Sequence, residues 1–288
     1  MMHIGHSLSH STVSDALRLI HRLGGNAIQI SLGELESKIV RSIDQVDAVT
    51  ACKIRDKHGF YIVVHGKFLY NFCRPQATAG WQRNMLIKEL CEANKLSADV
   101  IIHQGKNVAE IKLTVEEALQ NYVDNIVSVL EAPEVKALHN KIILENSARQ
   151  GTELGYSLDE LHLIYTMIPD KLKHRIGFCL DLCHCFVAGE LDVREAEAVS
   201  AWLDRFASLC GRDKLTLIHF NDSAISFNGA NDNHAGICHG YIGDTSCGGT
   251  TEGFRYVAQY CKKYSIPMIL ETPSKDMSKE ISLIQSWT

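Results

Sequence analysis

Short apolar runs that end on a histidine or an acidic residue recur along this chain. Such a residue is costly to bury unless it is paired or coordinated, because a charged group loses its hydration inside a core. One ending of this kind carries little information, but several of them constrain the fold strongly. Six runs end in this way: YIVVH at His65, VIIH at His103, IILE at Glu145, GFCLD at Asp181, LTLIH at His219 and PMILE at Glu271.

The apolar runs alternate with stretches that have helical spacing. β-branched runs lie at 2–5, 26–30, 60–64, 99–102, 141–144, 175–180, 214–218 and 266–270. Helical spacing is found, for example, at 11–23, 81–94, 114–130 and 192–210. Strands that alternate with helices predict right-handed βαβ units and a parallel sheet.

Eight strands with helical partners predict a closed (β/α)8 TIM barrel, formed by residues 1–288 as a single domain. Helix-start signals support the pattern, since Thr114 precedes Glu117 and Ser157 precedes Glu160 at the spacing of a capping box. The C-terminal ends of barrel strands face one mouth, where active sites lie in this fold. The six polar endings are therefore expected to meet at that mouth.

Composition limits the classes of function. The 288 residues have a formal net charge of −5, which argues against a protein that holds nucleic acid through bulk positive charge. Three bound divalent cations would reverse the sign of that charge at the place where an anionic substrate binds. No Gly-rich phosphate loop follows the first strand, which argues against a dinucleotide-binding fold.

The chain lacks signals for export or membrane insertion. Its N-terminus has no basic segment followed by an apolar one, and no apolar run approaches the roughly 20 residues of a membrane span. The ten cysteines form no CxxC pair, which predicts reduced and mostly buried thiols. We therefore expect a soluble, intracellular protein that does not interact with membranes.

Three further residues extend the set of candidate metal ligands. His184 follows Asp181 by three residues, a spacing that puts both side chains on one side of a helical turn. Asp232 and His234 form a D-x-H pair in the loop 223–248. Alone, each of these residues would more often be structural, but six strand endings on the same side favour a metal site. Of the remaining histidines only His6, near the end of the first strand, is kept as a candidate.

Mixed nitrogen and carboxylate ligands suit Zn²⁺, with Mn²⁺ or Fe²⁺ as alternatives. Nine ligands are too many for one tetrahedral ion, so the pattern predicts more than one ion. The predicted metal ligands are His65, His103, Glu145, Asp181, His184, His219, Asp232, His234 and Glu271.

The segments around these residues resemble the endonuclease IV family of zinc-dependent apurinic/apyrimidinic-site nucleases. The resemblance extends over nearly the whole chain, and each ligand position holds the residue type that the family has there. The matching segments are VVHGKFLYNF, IIHQGK, LENSARQGTELG, GFCLDLCHCFVAG, LIHFNDS, the D-x-H pair and PMILET.

The resemblance implies three zinc ions and a role for each ligand. Glu145 would bridge two buried ions and act as the catalytic carboxylate. The implied groups are His65 and His103 with Glu145; Asp181, His219 and Glu271 with Glu145; and His184, Asp232 and His234. A monomer would then hydrolyse double-stranded DNA on the 5′ side of an abasic site, leaving a 3′-hydroxyl and a 5′-deoxyribose phosphate. The resemblance also implies 3′-phosphodiesterase activity. A metal-activated hydroxide would attack, while the third ion neutralises the leaving oxygen.

The resemblance also suggests DNA contacts. Phe68 stands where the family has an aromatic residue that fills the gap left by the abasic nucleotide, although core packing is an equally good interpretation. Lys67, Arg74 and Lys106 are candidate phosphate contacts at the same mouth.

Four segments depart from the family pattern without affecting a ligand. Cys238–Gly240 replaces a glycine-containing run, Arg149 stands where the family often has glycine, and Ala224 replaces a lysine. The segment SLGELESK after the second strand lacks the usual Asn and Arg/Gln pattern. These departures concern DNA contacts more than the chemistry.

Two other functions remain as alternatives. A sugar isomerase or epimerase-like barrel with one metal ion needs about four ligands, and would leave His65, His184 and the loop 223–248 unexplained. A lesion-binding protein without catalysis is the second alternative, and the complete ligand set argues against it.

Overall fold

Eight parallel strands close into a barrel, which confirms the predicted (β/α)8 architecture. The computed structural model describes residues 2–273 and 275–288. The strands in these residues are β1 (Ile4–Ser7), β2 (Ala27–Ser31), β3 (Tyr61–His65), β4 (Asp99–Ile102), β5 (Ile142–Glu145), β6 (Ile176–Asp181), β7 (Leu215–His219), β8 (Asp222–Ser223), β9 (His234–Ala235) and β10 (Met268–Leu270). The barrel order is β1-β10-β7-β6-β5-β4-β3-β2, and β8 pairs with β9 as a separate antiparallel ribbon.

Helices follow the strands and cover the outside of the barrel. They are α1 (Val13–Arg22), α2 (Gln45–His58), α3 (Gly80–Asn94), α4 (Val115–Leu130), α5 (Pro133–Lys136), α6 (Leu158–Met167), α7 (Leu182–Ala188), α8 (Ala196–Leu209), α9 (Glu252–Tyr264) and α10 (Met277–Ser286). Thr114 and Glu117 form the predicted capping box at the start of α4. Ser157 caps α6 by accepting from the Glu160 amide, whereas the Glu160 carboxylate accepts from the Gly155 amide instead.

A ring of apolar side chains fills the barrel interior below the mouth. Successive side chains on a strand point to opposite faces, so only every second residue can enter the interior. The ring consists of Ala27, Val63, Ile101, Ile143, Cys179, Leu217 and Ile269. The residues two positions further along each chain segment point the same way, and they are Gln29, His65, His103, Glu145, Asp181, His219 and Glu271. The fold thus puts six predicted ligands in one layer above the apolar ring.

The larger core lies between the strands and the helices. It contains the alternate strand residues, such as Leu144, Phe178 and Ile218, packed against the apolar faces of the helices. Gly5 allows β1 to close the barrel, because a Cβ at this position would lie 1.5 Å from the Ala27 carbonyl oxygen. All ten cysteines are free, and six of them are buried, as expected for a protein with reduced thiols. In the described part of the chain, no helix is long and apolar enough to cross a membrane.

Candidate metal centre

The buried carboxylate of Glu145 links two groups of ligand side chains. Its Oε2 lies 3.3 Å from His65 Nε2 and 3.5 Å from His103 Nε2. Its Oε1 lies 2.7 Å from His219 Nδ1, which in turn lies 3.2 Å from Glu271 Oε2. Each carboxylate oxygen therefore faces a different group, as a bridging ligand requires.

The ligand atoms form compact sets. Within each set the candidate atoms lie within 4.8 Å of one another. Two sets match the groups that the resemblance implied, namely His65, His103 and Glu145, and Glu145, Asp181, His219 and Glu271. Two others, which share His234, lie on the side of Asp232: Asp181, His184 and His234, and Cys183, Asp232 and His234.

The histidine rings are oriented so that one nitrogen of each faces the centre. His65 Nδ1 lies 2.8 Å from the Gly66 carbonyl oxygen, and His184 Nδ1 lies 2.9 Å from that of Asn146. His234 Nδ1 lies 3.3 Å from the Glu271 carbonyl oxygen, and His219 Nε2 lies 2.7 Å from Gln29 Oε1. An amide oxygen can only accept, so the ring nitrogen facing it donates, which leaves the other nitrogen free to bind a metal.

At this site, two buried nitrogens have no hydrogen-bond partner among the described residues. His184 Nε2 and His234 Nε2 each lie 3.2 Å from an Asp232 oxygen, but neither is aligned for a hydrogen bond. Buried polar atoms are rarely left unpaired, because losing water without a new partner costs free energy. The two nitrogens and the Asp232 carboxylate fit the third ion that the resemblance implied.

The site strongly favours positive charge. Burial disfavours the Glu145 carboxylate, but the His219 and His103 imidazoles hold its pKa well below the usual range. Burial likewise opposes protonation of His234, yet the adjacent Asp232 carboxylate and the other nearby acidic groups raise its pKa to about 9. Burial lowers the pKa of His103. A divalent ion compensates the same carboxylates and displaces the protons that compete for these nitrogens.

Outer polar side chains hold the carboxylate ligands in place. Asn221 Nδ2 donates to Asp181 Oδ2 at 2.7 Å and to Glu271 Oε2 at 3.2 Å. Gln29 Nε2 donates to Glu271 Oε1 at 2.5 Å, and Asn146 Oδ1 accepts from the Asp181 amide at 2.7 Å. The sequence analysis did not single out these three amides. Asn146 directly follows Glu145 and Asn221 lies two residues after His219, so their positions could have indicated a role, whereas Gln29 lies in β2, which carries no predicted ligand.

The loop 223–248 is an ordered segment held by a buried carboxylate. Its start pairs in the β8–β9 ribbon, where Ser223 lies opposite His234. The buried Asp222 carboxylate is the anchor, because it accepts from five backbone amides: those of Ser223, Cys238, Gly240, Ile242 and Gly243. Asp222 therefore orders the segment that presents Asp232 and His234, and sequence reasoning missed this role.

The predicted α7 turn is present. Asp181 is the N-cap of α7, and its Oδ1 accepts from the His184 amide at 2.9 Å. The Asp181 side chain therefore orders the turn that carries His184, in addition to facing the ligand set.

His6, the other histidine kept as a candidate, pairs outside the ligand groups. It is buried one residue before the end of β1, where its Nε2 contacts Thr272 Oγ1 and Glu280 Oε2 at 3.3 and 3.6 Å. Cys183 lies close to Asp232 and His234, and burial raises the pKa of its thiol.

The four predicted DNA contacts differ in exposure and in the partners of their side chains. Phe68 is 53% exposed, so the core-packing interpretation is wrong; its ring lies 5.3 Å from the His65 ring, centroid to centroid. Arg74 is half-buried, and Lys106 is exposed and pairs with Glu153 at 3.4 Å.

The structure disfavours the predicted phosphate contact at Lys67, because the ammonium group is already engaged. Lys67 is buried, and its Nζ donates to the carbonyl oxygens of Leu32 and Glu34 at 2.9 and 2.8 Å. The Phe68 amide donates to the Leu35 carbonyl oxygen at 3.1 Å. Lys67 thus ties the loop after β3 to the loop after β2, and its ammonium is engaged before any ligand arrives.

A cavity of about 390 Å³ opens over the ligands at the barrel mouth. Its wall includes Phe68 on one side and Asn233 and Pro273 on the other. The cavity is lined by seven of the nine ligands, namely His65, His103, Glu145, His184, Asp232, His234 and Glu271. A ligand that enters it reaches the metal-binding side chains directly.

Comparison with known proteins places this chain among enzymes with the same barrel. A family model described as a xylose isomerase-like TIM barrel matches residues 17–281. A protein of Acanthamoeba polyphaga mimivirus named as an endonuclease 4 is 32% identical over 281 residues, which cover 92% of this chain and 86% of the viral protein. A Thermotoga maritima protein of the same name is 28% identical over 277 residues, covering 92% and 90% of the two chains.

Two solved structures have the same fold, and their names give two different activities. Endonuclease IV from Thermus thermophilus superposes with a TM-score of 0.80 at 22% identity, covering 100% of this chain and 98% of that one. A D-tagatose 3-epimerase-like protein superposes with a TM-score of 0.72 at 18% identity, covering 99% and 97%. At these identities the likeness shows the fold alone.

We predict that Asp222→Asn weakens metal binding at His184, Asp232 and His234. In the wild type, five backbone N–H groups share the charged Asp222 carboxylate. The asparagine side chain offers them only one uncharged acceptor oxygen, so the loop is held less tightly. Loss of a supporting group around a metal site lowers affinity roughly 10- to 100-fold. Chelator titration with metal analysis should show about one ion per chain leaving early. Asp213→Asn, the same change at an exposed position outside the loop, is the control; equal metal loss in both variants would contradict the anchoring role.

Proposed function

Because the chain belongs to the endonuclease IV family of xylose isomerase-like TIM barrels, we propose that it is a metal-dependent DNA-repair nuclease. In this proposal it hydrolyses the phosphodiester on the 5′ side of an abasic site. The products are a 3′-hydroxyl and a 5′-deoxyribose phosphate, and the same site removes 3′-blocking phosphate groups. The observation that carries the proposal is the convergence of nine ligand side chains on one centre, with Glu145 facing two groups at once.

The donor set supports three zinc ions, with Mn²⁺ or Fe²⁺ as alternatives. Bound divalent ions supply an activated water at neutral pH and neutralise charge on the phosphodiester. The chain contributes the positions of the ligands. Glu145, His219 and the outer amides of Gln29, Asn146 and Asn221 are fixed by hydrogen bonds, so little reorganisation is needed during the reaction. All nine ligands come from one chain, which supports action as a monomer.

Recognition must depend on the lesion, because a net charge of −5 cannot hold DNA tightly through counterion release alone. An abasic nucleotide has no base to unstack, so its rotation into a cavity costs less than that of a normal nucleotide. Phe68 is exposed beside His65 and His103, where its ring can fill the vacated position in the stack.

Two cations at the mouth remain candidate phosphate contacts. Arg74 is half-buried on the loop after β3. Lys106 pairs with Glu153 at 3.4 Å, and both side chains are partly exposed. Such pairs contribute about 0–1 kcal/mol, so a phosphate can replace the carboxylate at little cost.

A sugar epimerase with one metal ion is the second candidate, and it is favoured by the fold likeness to an epimerase-like protein. One ion would use Glu145, Asp181, His219 and Glu271. It would leave His65, His103 and the group around Asp232 without a role.

Metal content distinguishes the two functions. We expect elemental analysis of the purified protein, reconstituted with Zn²⁺ and freed of excess metal, to give about three ions per chain. The reason is that the nine ligands suffice for three ions when Glu145 is shared between two of them. A stoichiometry of about one would support the epimerase-like alternative.

Glu145→Gln tests the proposed reaction. Loss of a residue that supports a metal ligand typically lowers activity about 10- to 100-fold. We expect Glu145→Gln to keep its fold and to reduce cleavage of an abasic duplex by more than this, because the change weakens two ion sites. Gel assays of strand cleavage and thermal unfolding measure the two effects. Glu131→Gln, an exposed position paired with Lys171, is the matched control. Normal cleavage by Glu145→Gln would remove the central role of this residue.

Phe68→Ala tests lesion recognition. We expect affinity for an abasic duplex to fall about tenfold, in the range of about 1–3 kcal/mol for lost stacking, while affinity for intact duplex changes little. Phe68→Tyr should retain the wild-type preference, and Leu163→Ala, exposed on α6, is a control for loss of surface apolar area. Fluorescence anisotropy on both duplexes, with metal content checked, measures the effect. An equal loss on both duplexes would exclude Phe68 as the wedge.

A further inference from the structure

Arg149 has a backbone conformation that arginine rarely adopts. It lies four residues after Glu145 with φ of 59°, in the left-handed region. That conformation crowds the Cβ of any residue but glycine. Strained residues persist where surrounding contacts or function maintain them.

The Arg149 side chain is held by two contacts. Its Nη2 donates to Asn228 Oδ1 at 2.5 Å, and its guanidinium carbon lies 5.7 Å from the centre of the Tyr156 ring. Asn228 is itself in a left-handed conformation, with φ of 63°, and its amide donates to the Phe186 carbonyl oxygen at 3.1 Å. The guanidinium is therefore fixed in position before any ligand binds.

The charge of Arg149 is not compensated by a neighbouring acid. Within residues 2–273 and 275–288, no carboxylate lies at ion-pair distance from its guanidinium. The nearby Glu153 side chain is already used, since it pairs with Lys106 and accepts from the Gln150 amide. A guanidinium has five N–H donors, and among the described residues only Asn228 accepts from one of them.

The position of Arg149 points to the same ligand as the metal centre. Arg149 follows β5, whose last residue is the bridging Glu145, and Asn228 lies on the loop that carries Asp232 and His234. Arg149 thus lies on the barrel face where the strands end, and its side chain contacts the loop that carries two metal ligands. An anion that reaches from the metal centre to Arg149 must be extended, as the phosphate backbone of a DNA strand is.

We infer that Arg149 binds a backbone phosphate of the DNA strand that flanks the abasic site. The inference rests on the proposed nuclease function and adds a contact to it. Guanidinium is planar and permanently charged, so it can bind a phosphate through two parallel N–H donors. Asn228 and Tyr156 act as positioning residues, because they hold the guanidinium through a hydrogen bond and a ring contact. The phosphate contact then explains why an arginine occupies this strained backbone position.

Arg149→Gly is the sharpest test, because glycine removes the cation and relieves the backbone strain together. Added backbone strain therefore cannot explain a loss. We expect KM for an abasic duplex to rise about tenfold with kcat within about twofold of wild type. A phosphate contact contributes about 0.9 to the salt dependence of duplex affinity, so the slope of log affinity against log salt should flatten by about that amount. Arg149→Lys should keep the slope and recover part of the affinity.

The matched control is the double variant Lys262→Gln/Ser265→Gly at the end of α9, on the side of the barrel opposite the mouth. Ser265 has φ of 57°, so this variant also removes one exposed cation and one left-handed non-glycine residue. It should behave as wild type.

The outcomes separate the two proposals. If wild type cleaves abasic DNA and Arg149→Gly keeps both its KM and its salt slope, the Arg149 inference is overturned and the nuclease function stands. A raised KM with an unchanged salt slope would overturn it as well, because it would make Arg149 a brace between loops. If wild type does not cleave abasic DNA, the proposed function itself fails.

Discussion

The buried Glu145 carboxylate is the constraint around which the barrel mouth is organised. A carboxylate at the top of an apolar interior is tolerated only with compensating positive charge. His65 and His103 approach one oxygen and His219 the other, so the compensation comes from both sides. The same arrangement makes Glu145 suitable as a bridge between two cations. The histidines that compensate the buried charge of Glu145 are thus the same side chains that are placed to bind metal ions.

The hydrogen-bond partners of the ligand side chains determine which ligand atoms remain available to a metal ion. Backbone carbonyl oxygens and the Gln29 amide occupy one nitrogen on each of four histidines, and thereby select the nitrogen that faces the centre. Asn221 bridges two carboxylates, and Asp222 collects five backbone amides to order the loop of the third group. A metal site depends on such partners because they fix ligand orientation before the ion binds.

Few cations at the mouth are unpaired among the described residues, and this charge balance bears on the proposed binding of DNA. Lys67 is committed to two backbone carbonyls, Lys106 is paired with Glu153, and the whole chain is acidic. In the proposed function, affinity would therefore come from the metal centre, from the exposed Phe68 and from a few placed cations such as Arg149. Non-specific binding would be weak, and the unstacked lesion would contribute a larger part of the total selectivity.

The barrel and most of its metal centre could be predicted from the sequence. The alternation of strands and helices indicated eight βα units, and the bounds of the predicted strands lie within two residues of the observed ones. The six polar strand endings met as expected because strand geometry is local: a residue two positions beyond an interior apolar side chain must also point inward. The resemblance to a known family added the grouping of the ligands, which spacing alone left open.

Other features depended on contacts between distant segments. Gln29 could be recognised only when β2 placed it beside His219 and Glu271, and Asp222 only when the loop folded back over it. The sequence marked Phe68 and Lys67 as neighbours, yet the structure exposes the ring and buries the ammonium. Sequence periodicity determines which face of a strand a residue occupies. Only the tertiary structure decides which partner a loop side chain meets, because that choice depends on chain segments far away in sequence that compete for the same hydrogen bonds.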